Sequence, residues 1–389
     1  MTHFDHLETR SQDEREAGQL KLLNELFAQR GEARLGSLSA LASLPVLRKA
    51  ELSERQKAKP PFGGLPTGAI VHYFQSPGPI YEPGGVSHDW WRMGRFLHAL
   101  GVGRGDIVHN CFGYHLTPAG MIFENGARAV GAAVLPAGTG QTELQVRAAV
   151  DIGTTVYAGT PDYLKILLEK AQDMGETLAI RKAAVSGGAL FPSLRQAYAD
   201  QGIDCLQVYA TADLGNIAYE SKAMEGLIMD EGIIVEIVRP GSDHPVPDGE
   251  VGEVVVTSLN PDYPLTRFAT GDLSAILPGM SPCGRTNRRI KGWMGRADQT
   301  TKIKGMFVRP EQVAQLVARH DEIARARVVA SREGEMDIMT VQIETRATNP
   351  ALYEQSIVAT LKMRGQVELL PPGALPNDGK VIEDRRSYE

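Results

Sequence analysis

The stretch GTTVYAGTPDYLKILLEKAQDMGETLAIRKAAVSGG, residues 153–188, contains a complete strand–helix–strand pattern. Two short apolar runs, Thr155–Ala158 and Ala183–Val185, are typical of buried strands. Between them, apolar residues recur at helical spacing over 161–173, and Thr160-Pro161 supplies a hydroxyl N-cap followed by proline in the first turn. A helix that connects two strands in this way favours a parallel sheet with helices on both faces.

The same alternation extends in both directions from this stretch. Strands and helices are predicted in turn along the chain, with strands at Ile107–His109, Ala132–Leu135 and Cys205–Val208 and helices over 117–128, 141–150 and 192–200. We therefore expect an α/β fold with a parallel-sheet core. Ligands of such sheets bind at the carboxyl ends of the strands, so the loops that follow the strands are the candidate site.

The flanking regions have different patterns. Residues 8–30 predict an amphipathic helix, and the stretch Pro60–Gly85 is too rich in proline and glycine for long elements. The C-terminal half predicts strands at Ile233–Arg239, Gly252–Ser258, Ala326–Ala330 and Ile338–Ile343, and a helix opened by Pro310. We expect a large domain over 1–297 and a small α+β domain over 298–389, since 389 residues exceed the roughly 250–300 that one core supports.

Composition excludes several classes of protein. A net charge of −6 and a pI near 5.9 provide no basic surface for nucleic acid or an anionic membrane. No apolar stretch is long enough to span a bilayer, and the first 20 residues lack a secretory signal, so we expect a cytoplasmic protein. The cysteines are isolated, which argues against a disulfide framework or a thiolate zinc site.

Two loops that follow predicted strands contain residues suited to nucleotide binding. VSGGAL (185–190) places Gly187 and Gly188 where a backbone must approach something closely, although a tight turn explains them equally well. VYATADLG (208–215) offers an aromatic ring, a hydroxyl and a carboxylate. Tyr209 is a candidate for stacking on a base, Thr211 for bonding a phosphate oxygen, and Asp213 for binding Mg²⁺.

A third loop, RFATGD (267–272), delivers Asp272 after a strand and a predicted Thr-Gly turn. A carboxylate there is suited to the two hydroxyls of a ribose. On its own the segment is also compatible with an ordinary turn.

The order of these segments resembles the acyl-adenylate-forming ligases, specifically their phenylacetate–CoA ligase-like branch. PLTRFATGDLSAILPGMSPCGRTNRRIKGWMGRADQTTKIKG (264–305) is similar to the branch's ribose-binding and hinge region, and PNDGK (376–380) to its C-terminal lysine motif. The resemblance implies a large adenylation domain and a small mobile C-terminal domain. It also implies ATP, Mg²⁺ and CoA, a small carboxylic acid substrate (aryl, branched or hydroxy), and allows a homodimer.

The family reaction has two steps. A carboxylate attacks the α-phosphate of ATP to give acyl-AMP and pyrophosphate, and a thiol, usually of CoA, then displaces AMP. The resemblance implies a role for each matching residue. Gly187, Gly188 and Tyr209 would contact adenine, Thr211 would bond the α-phosphate, and Asp213 would bind Mg²⁺. Asp272 and Arg296 would hold the ribose, Lys380 would bridge the acyl carboxylate and the ribose or phosphate oxygens, and Asp298 would be the hinge. Tyr114 and His115, in FGYHLTP, are candidates for the acyl pocket.

The chain departs from the family pattern in two places. Asp213 stands where glutamate is usual. The stretch VHYFQSPGPIYEPGG (71–85) stands where a Ser/Thr/Gly-rich phosphate loop is usual. Ser76 and a few backbone amides remain as candidate donors to the phosphates of ATP, whereas the three prolines lack amide donors and Glu82 adds a negative charge. A rigid phosphate loop and an inert connector are both compatible with this stretch.

Three hypotheses about function follow. The first is an acyl- or aryl-CoA ligase. The second keeps adenylation but changes the acceptor to a carrier-protein thiol or another cofactor. The third is a non-catalytic protein that binds an acyl group or a nucleotide, and it is suggested by the altered phosphate loop.

Overall fold

The computed structural model describes residues 3–76, 79–188, 190–240, 242–297, 301–303, 306–333, 336–376 and 380–386. The chain divides into two compact units. The first unit comprises residues 1–250, 254–270 and 275–292, and the second comprises 251–253, 271–274 and 293–389. The domain boundary expected between 297 and 298 stays a prediction, and Asp298 lies outside the described residues.

The helices of the first unit include the four that the sequence predicts in alternation with strands. They are α1 (Gln12–Gln29), α2 (Lys49–Ala58), α3 (Gly94–Leu100), α4 (Ala119–Ala129), α5 (Thr142–Ile152), α6 (Pro161–Asp173) and α7 (Pro192–Asp200). The four predicted between 117 and 200 are α4 to α7. Sequence patterns did not predict α2 and α3, because α2 is dominated by charged residues and α3 has only two turns.

The first unit has a main sheet, a smaller sheet and a hairpin. Its strands are β1 (Leu47–Arg48), β2 (His72–Ser76), β3 (Ile80–Gly84), β4 (Ile107–Asn110), β5 (Ala133–Pro136), β6 (Val156–Gly159), β7 (Lys182–Val185), β8 (Asp204–Thr211), β9 (Gly215–Tyr219), β10 (Leu227–Met229), β11 (Ile233–Val238), β12 (Gly252–Ser258), β13 (Phe268–Ser274), β14 (Ile276–Leu277) and β15 (Arg289–Ile290). Residues 252–253 of β12 and 271–274 of β13 are counted with the second unit. The main sheet has the order β14-β15-β10-β9-β8-β7-β6-β4-β5.

The central part of the main sheet is parallel. β8 pairs with β7, β7 with β6, β6 with β4, and β4 with β5, all in parallel register. From β9 onward the pairings are antiparallel. The predicted α/β fold with a parallel-sheet core is therefore confirmed.

Successive residues of the central strands enter different cores, as the two-residue period of a strand requires. Val156 and Ala158 of β6 belong to one apolar cluster, which includes Phe96 of α3 and Phe123 of α4. Tyr157, between them, belongs to another cluster with Leu164 and Leu167 of α6. The central strands are covered on both faces, which explains why successive residues of β6 are apolar rather than alternating with polar residues.

The N-terminal helix is amphipathic, as predicted, with narrower bounds than 8–30. Ser11 and Glu14 form a reciprocal capping box at its start. Leu23 and Phe27 are buried in a small cluster with Leu41. Arg15 donates to Glu231, which also accepts from Arg10, so the segment is bonded to the body of the first unit.

The segment RFATGD does not contain the predicted Thr-Gly turn. Thr270, Gly271 and Asp272 all lie within β13, which belongs to the smaller sheet β1-β13-β12-β11. Gly271 has a φ of +77°, a backbone conformation that glycine adopts without strain, so the strand continues through it. The local pattern was that of a turn, and strand pairing overrode it.

The second unit has helices packed on a small sheet. Its elements are α8 (Pro310–Val317), α9 (Ala351–Leu361), β16 (Thr301–Ile303), β17 (Met306–Val308), β18 (Arg325–Glu333), β19 (Met336–Glu344), β20 (Gln366–Leu370) and β21 (Ile382–Asp384). The sheet order is β20-β19-β18-β21, and its core contains Leu316, Val341 and Tyr353. Within the described residues, no helix has the length and apolar character needed to cross a bilayer.

Candidate active site

Loops from four neighbouring parallel strands meet at one edge of the main sheet. They follow β8, β7, β6 and β4. Tyr114, His115, Gly187, Gly188 and Asp213 lie in these loops, whereas Tyr209 and Thr211 lie at the end of β8 itself, which continues beyond the predicted strand end at Val208. The loops approach one another closely at Gly187, where a Cβ in place of the glycine hydrogen would lie 3.8 Å from Thr160 and 3.9 Å from Phe112. The switch from parallel to antiparallel pairing at β8 adjoins this edge.

The glycine pair after β7 has a backbone reason of its own. Gly187 has a φ of +71°, and a Cβ at Gly188 would lie 3.2 Å from Pro161 Cδ. The preceding Ser186 donates its hydroxyl to the carbonyl of Val208 at 2.9 Å. The tight turn alone therefore accounts for both glycines, and their contact with adenine stays a prediction.

The ring of Tyr209 is held by its hydroxyl. Tyr209 Oη donates to Thr270 Oγ1 at 3.0 Å, and Thr270 Oγ1 donates to the carbonyl of Val254 at 3.1 Å. The side chain is half-buried at the end of β8. A ring anchored at one end and partly exposed is suited to stacking on a flat base, the role predicted for it.

Thr211 and Asp213 follow Tyr209 at the end of β8 in different environments. Thr211 Oγ1 accepts the amide of Leu214 at 3.2 Å and so closes a local turn. Asp213 has a fully buried side chain whose Oδ2 lies 2.7 Å from Lys49 Nζ at the start of α2. Lys49 is a site residue that sequence analysis missed.

The side chains around Asp213 would fit a metal ion that takes most of its ligands from a bound molecule and from water. Asp213 Oδ1 is buried and has no hydrogen-bond partner among the described residues. No group of three or more His, Cys, Asp or Glu side chains that could hold a metal occurs within the described ranges. One available carboxylate oxygen suits Mg²⁺ that arrives with phosphate and water ligands, rather than a metal held by protein alone.

The stretch predicted as a phosphate loop is a β-hairpin. β2 and β3 pair antiparallel from His72–Gly84 to Ser76–Ile80, and the two residues after Ser76 lie outside the described part of the chain. Ser76 is buried, and the amide of Gln75 donates to the carbonyl of Leu116 at 2.9 Å. One of the few amides available for phosphate is therefore already engaged.

Glu82 on β3 is a buried carboxylate without hydrogen-bonding geometry to any described residue. It is 0% exposed, and both of its oxygens are unpartnered. Burial, with the nearby Asp213 charge, raises the pKa of Glu82 to about 7; Ser76 and Lys49 counteract only part of this shift. The negative charge expected from the sequence is thus only partly present at neutral pH.

Replacing Glu82 by Gln should remove a pH dependence of stability. Because folding raises the pKa of Glu82 from 4.5 to about 7, its stabilising contribution is complete below pH 4.5 and is lost as pH rises through 7. Relative to wild type, the variant should be unchanged near pH 4.5 and more stable by about 2–3 kcal/mol at pH 8. Urea unfolding at both pH values measures this difference.

Glu54→Gln, at an exposed position on α2, is the matched control and should leave the pH dependence as it is in wild type. A stability difference between Glu82→Gln and wild type that stays constant from pH 4.5 to 8 would contradict the assignment.

In the second unit, Asp272 and Arg296 are paired as a strand bridge and an ion pair. Arg296 Nη1 lies 3.2 Å from Asp272 Oδ1, and Trp293 Nε1 donates to the same oxygen at 3.1 Å. Gly271 leaves room for the guanidinium, because a Cβ there would lie 2.6 Å from Arg296 Nη2. The structure brings together the two residues predicted to hold ribose and adds Trp293, which the sequence analysis did not include.

Lys380 also belongs to the second unit. Its side chain is exposed, and its carbonyl accepts a hydrogen bond from Arg327 Nε at 2.9 Å just before β21. Its bridging role stays a prediction, as does the hinge role of Asp298, which lies outside the described residues.

Tyr114 and His115 follow β4, at the same edge of the main sheet as the glycine pair. Tyr114 Oη accepts from Asn110 Nδ2 at 2.8 Å, and burial raises the pKa of this phenol. His115 is exposed. The geometry therefore supports Tyr114 as a pocket residue more directly than His115.

Comparison with known proteins agrees with this arrangement. No family model matches the chain. A phenylacetate-coenzyme A ligase of Aromatoleum evansii is 28% identical over 329 residues, which are 80% of this chain and 73% of that protein. A phenylacetate-coenzyme A ligase of Thermus thermophilus is 28% identical over 326 residues, covering 79% and 72%.

Among solved structures, 2-hydroxyisobutyryl-CoA ligase in the postadenylation state has the same fold, with a TM-score of 0.77 and 23% identity over 97% of this chain and 91% of that one. An open conformation of that ligase, in complex with 2-HIB-AMP and CoA, gives a TM-score of 0.76 with 22% identity, covering 97% and 93%. The similarity extends over most of the chain, and the strand-end loops occur in the expected order. The chain is thus similar over most of its length to phenylacetate-coenzyme A ligases, as the sequence motifs predict, and it has the fold of 2-hydroxyisobutyryl-CoA ligase.

Proposed function

We propose that the protein is an ATP-dependent carboxylic acid–CoA ligase that works through an acyl-adenylate. The observation that carries the proposal is the set of loops at one edge of the parallel sheet, in a chain similar over four fifths of its length to phenylacetate-coenzyme A ligases. Gly187 follows β7, Tyr209 lies at the end of the neighbouring strand β8, and Asp213 follows β8. Fold alone does not decide function, so the residues at this edge carry the argument.

The first half-reaction joins two anions, the acid and the α-phosphate. The protein is therefore required mainly to position the reactants and to supply positive charge. Tyr209 would stack on adenine, and Thr211 would bond the α-phosphate through its hydroxyl proton while its oxygen accepts the amide of Leu214. Asp272, held by Arg296 and Trp293, would bind the ribose hydroxyls.

Mg²⁺ would enter with the phosphates of ATP and neutralise part of their charge. Asp213 would hold it through Oδ1, the oxygen that Lys49 leaves unpartnered. The phosphates and water would provide the remaining ligands, in keeping with the preference of Mg²⁺ for oxygen.

Lys380 would bridge the acyl carboxylate and the ribose or phosphate oxygens during adenylation. An ammonium on a flexible stem suits a contact that must be made in one half-reaction and released for the next. The exposure of its side chain is compatible with this role. Asp298 would be the hinge between a domain of residues 1–297 and a mobile domain of residues 298–389.

Tyr114, half-buried near Phe112, favours an aromatic or small branched or hydroxy acid as substrate. Product analysis tests the proposed acceptor: Mg-ATP, CoA and a panel of such acids should yield AMP and a CoA thioester that mass spectrometry identifies. Accumulation of acyl-adenylate without a thioester, in the presence of CoA, would instead favour a carrier protein or another acceptor.

A further inference from the structure

Four polar side chains of the first unit form a cluster beside the β2–β3 hairpin: Lys49, Glu82, Asp213 and Tyr263, here named the Lys49 cluster. Lys49 Nζ lies 2.7 Å from Asp213 Oδ2. The charges of Lys49 and Asp213 lie close enough to Glu82 to shift its pKa. The carboxylates of Asp213 and Glu82 likewise lie close enough to Tyr263 to raise the pKa of its hydroxyl. Apart from the lysine, the members are buried.

The cluster lacks partners for most of its polar atoms. By donor–acceptor geometry, both oxygens of Glu82, Oδ1 of Asp213 and the hydroxyl of Tyr263 have no hydrogen bond to any residue that the structure describes, although Ser76 lies close enough to Glu82 to lower its pKa in part. Unsatisfied buried polar groups are rare in native proteins and require an explanation. A ligand that brings a cation for the carboxylates and anionic oxygens for the ammonium would satisfy the cluster, and a nucleotide phosphate with its Mg²⁺ has both.

The helix that carries Lys49 is bonded directly to the hairpin. Gln56 Nε2 donates to the carbonyl of Tyr81 at 2.7 Å, and the amide of Tyr81 donates to Gln56 Oε1 at 2.8 Å. Ser53 Oγ donates to the carbonyl of Pro79, at the turn of the hairpin, at 3.4 Å. Lys49 precedes Ser53 by four residues and so lies one helical turn farther along the same face of α2.

Lys49 also has the capacity to bind a second group. Its hydrogen bond to Asp213, the one that its ammonium makes within the described part of the chain, uses one of three N–H donors. Its side chain is 31% exposed, whereas that of Asp213 is fully buried. The ammonium is thus held in position from one side and accessible from the other.

The geometry points to Lys49 as a phosphate-binding residue of the adenylation site, positioned by Asp213. It supplies from α2 the positive charge that the proline-rich hairpin, without a lysine of its own, does not supply. This inference rests on the proposed function, because it assumes that ATP is the nucleotide bound.

Calorimetric titration with Mg-bound non-hydrolysable ATP analogue and with AMP tests the inference. Lys49→Met should weaken binding of the ATP analogue by about 10- to 100-fold, the loss expected for one charge-assisted hydrogen bond. AMP, which lacks the β- and γ-phosphates, should lose no more than about threefold by the same reasoning. Lys57→Met, at an exposed position on the same helix, is the matched control and should bind both nucleotides as wild type does.

A second pair of variants guards against misfolding, since Lys49→Met leaves Asp213 buried without its cation. Asp213→Asn alone and Asp213→Asn with Lys49→Met both remove that unpaired charge. They are compared with the analogue in the absence of Mg²⁺, so that the proposed metal-binding role of Asp213 does not enter, and the double variant should bind at least about 10-fold more weakly than Asp213→Asn. Equal binding by these two variants would overturn the role of Lys49. Wild-type protein that binds no ATP analogue would instead overturn the proposed function.

Discussion

Replacing Lys380 by alanine should lower the rate of acid-dependent pyrophosphate release from Mg-ATP by at least about 100-fold. Removal of one group that stabilises charge in a transition state typically costs two to three orders of magnitude in rate. Lys380 is exposed, so the substitution should change the free energy of unfolding by less than about 0.5 kcal/mol. The assay is a coupled pyrophosphate measurement with the acid that wild-type protein uses.

Arg346→Ala removes a positive charge at another exposed position of the second unit and serves as the matched control. It should release pyrophosphate at the wild-type rate. Because the proposed role of Lys380 is confined to adenylation, Lys380→Ala should still form thioester from supplied acyl-adenylate and CoA. Pyrophosphate release by Lys380→Ala within about threefold of wild type would contradict the role, since it is far from the loss expected of a charge-stabilising group.

Replacing Glu8 by alanine should destabilise the first unit by about 3–5 kcal/mol, the range for breaking a buried ion pair. Glu8 is 1% exposed; its Oε1 lies 2.6 Å from Arg285 Nε and accepts the hydroxyl of Tyr219 at 2.6 Å. The amide of Phe4 donates to its Oε2 at 2.6 Å. The substitution would leave the buried Arg285 guanidinium without its counterion.

Urea unfolding, followed by a probe in the first unit, measures this effect, because a chain of two units need not unfold in one step. Glu16→Ala, exposed on α1, is the control and should change stability by less than about 0.5 kcal/mol. A loss below about 1 kcal/mol for Glu8→Ala would mean that the ion pair contributes little beyond its desolvation cost.

The parallel core was predictable because each strand is a short apolar run followed by a helix with a clear start. Thr160-Pro161 opens α6 at the predicted residue, although the Thr160 hydroxyl makes no capping hydrogen bond, and β12 has the predicted bounds. β9, Gly215–Tyr219, was not predicted, because Gly and Asn have low strand propensity and only tertiary packing reveals that all five residues are buried.

The site residues divide in a similar way. Those at or just after a strand end, such as Tyr209 and Asp213, were found because strand ends define the ligand edge of a parallel sheet. Lys49 was missed because it precedes Asp213 by 164 residues and lies in a charged helix without a distinctive motif. The raised pKa of Glu82 depends on its burial, and the sequence pattern of the proline-rich stretch did not indicate that this side chain is buried.

Acid-dependent release of pyrophosphate from Mg-ATP by the wild-type protein is the most direct test of the proposed function. The panel should include aromatic, hydroxy and short branched acids, each with and without CoA. We expect at least one acid to give release, and CoA to accelerate turnover by removing the adenylate. If no acid gives release while AMP still binds, the proposed ligase activity is wrong, and the proline-rich hairpin would mark a protein that binds nucleotide without activating an acid.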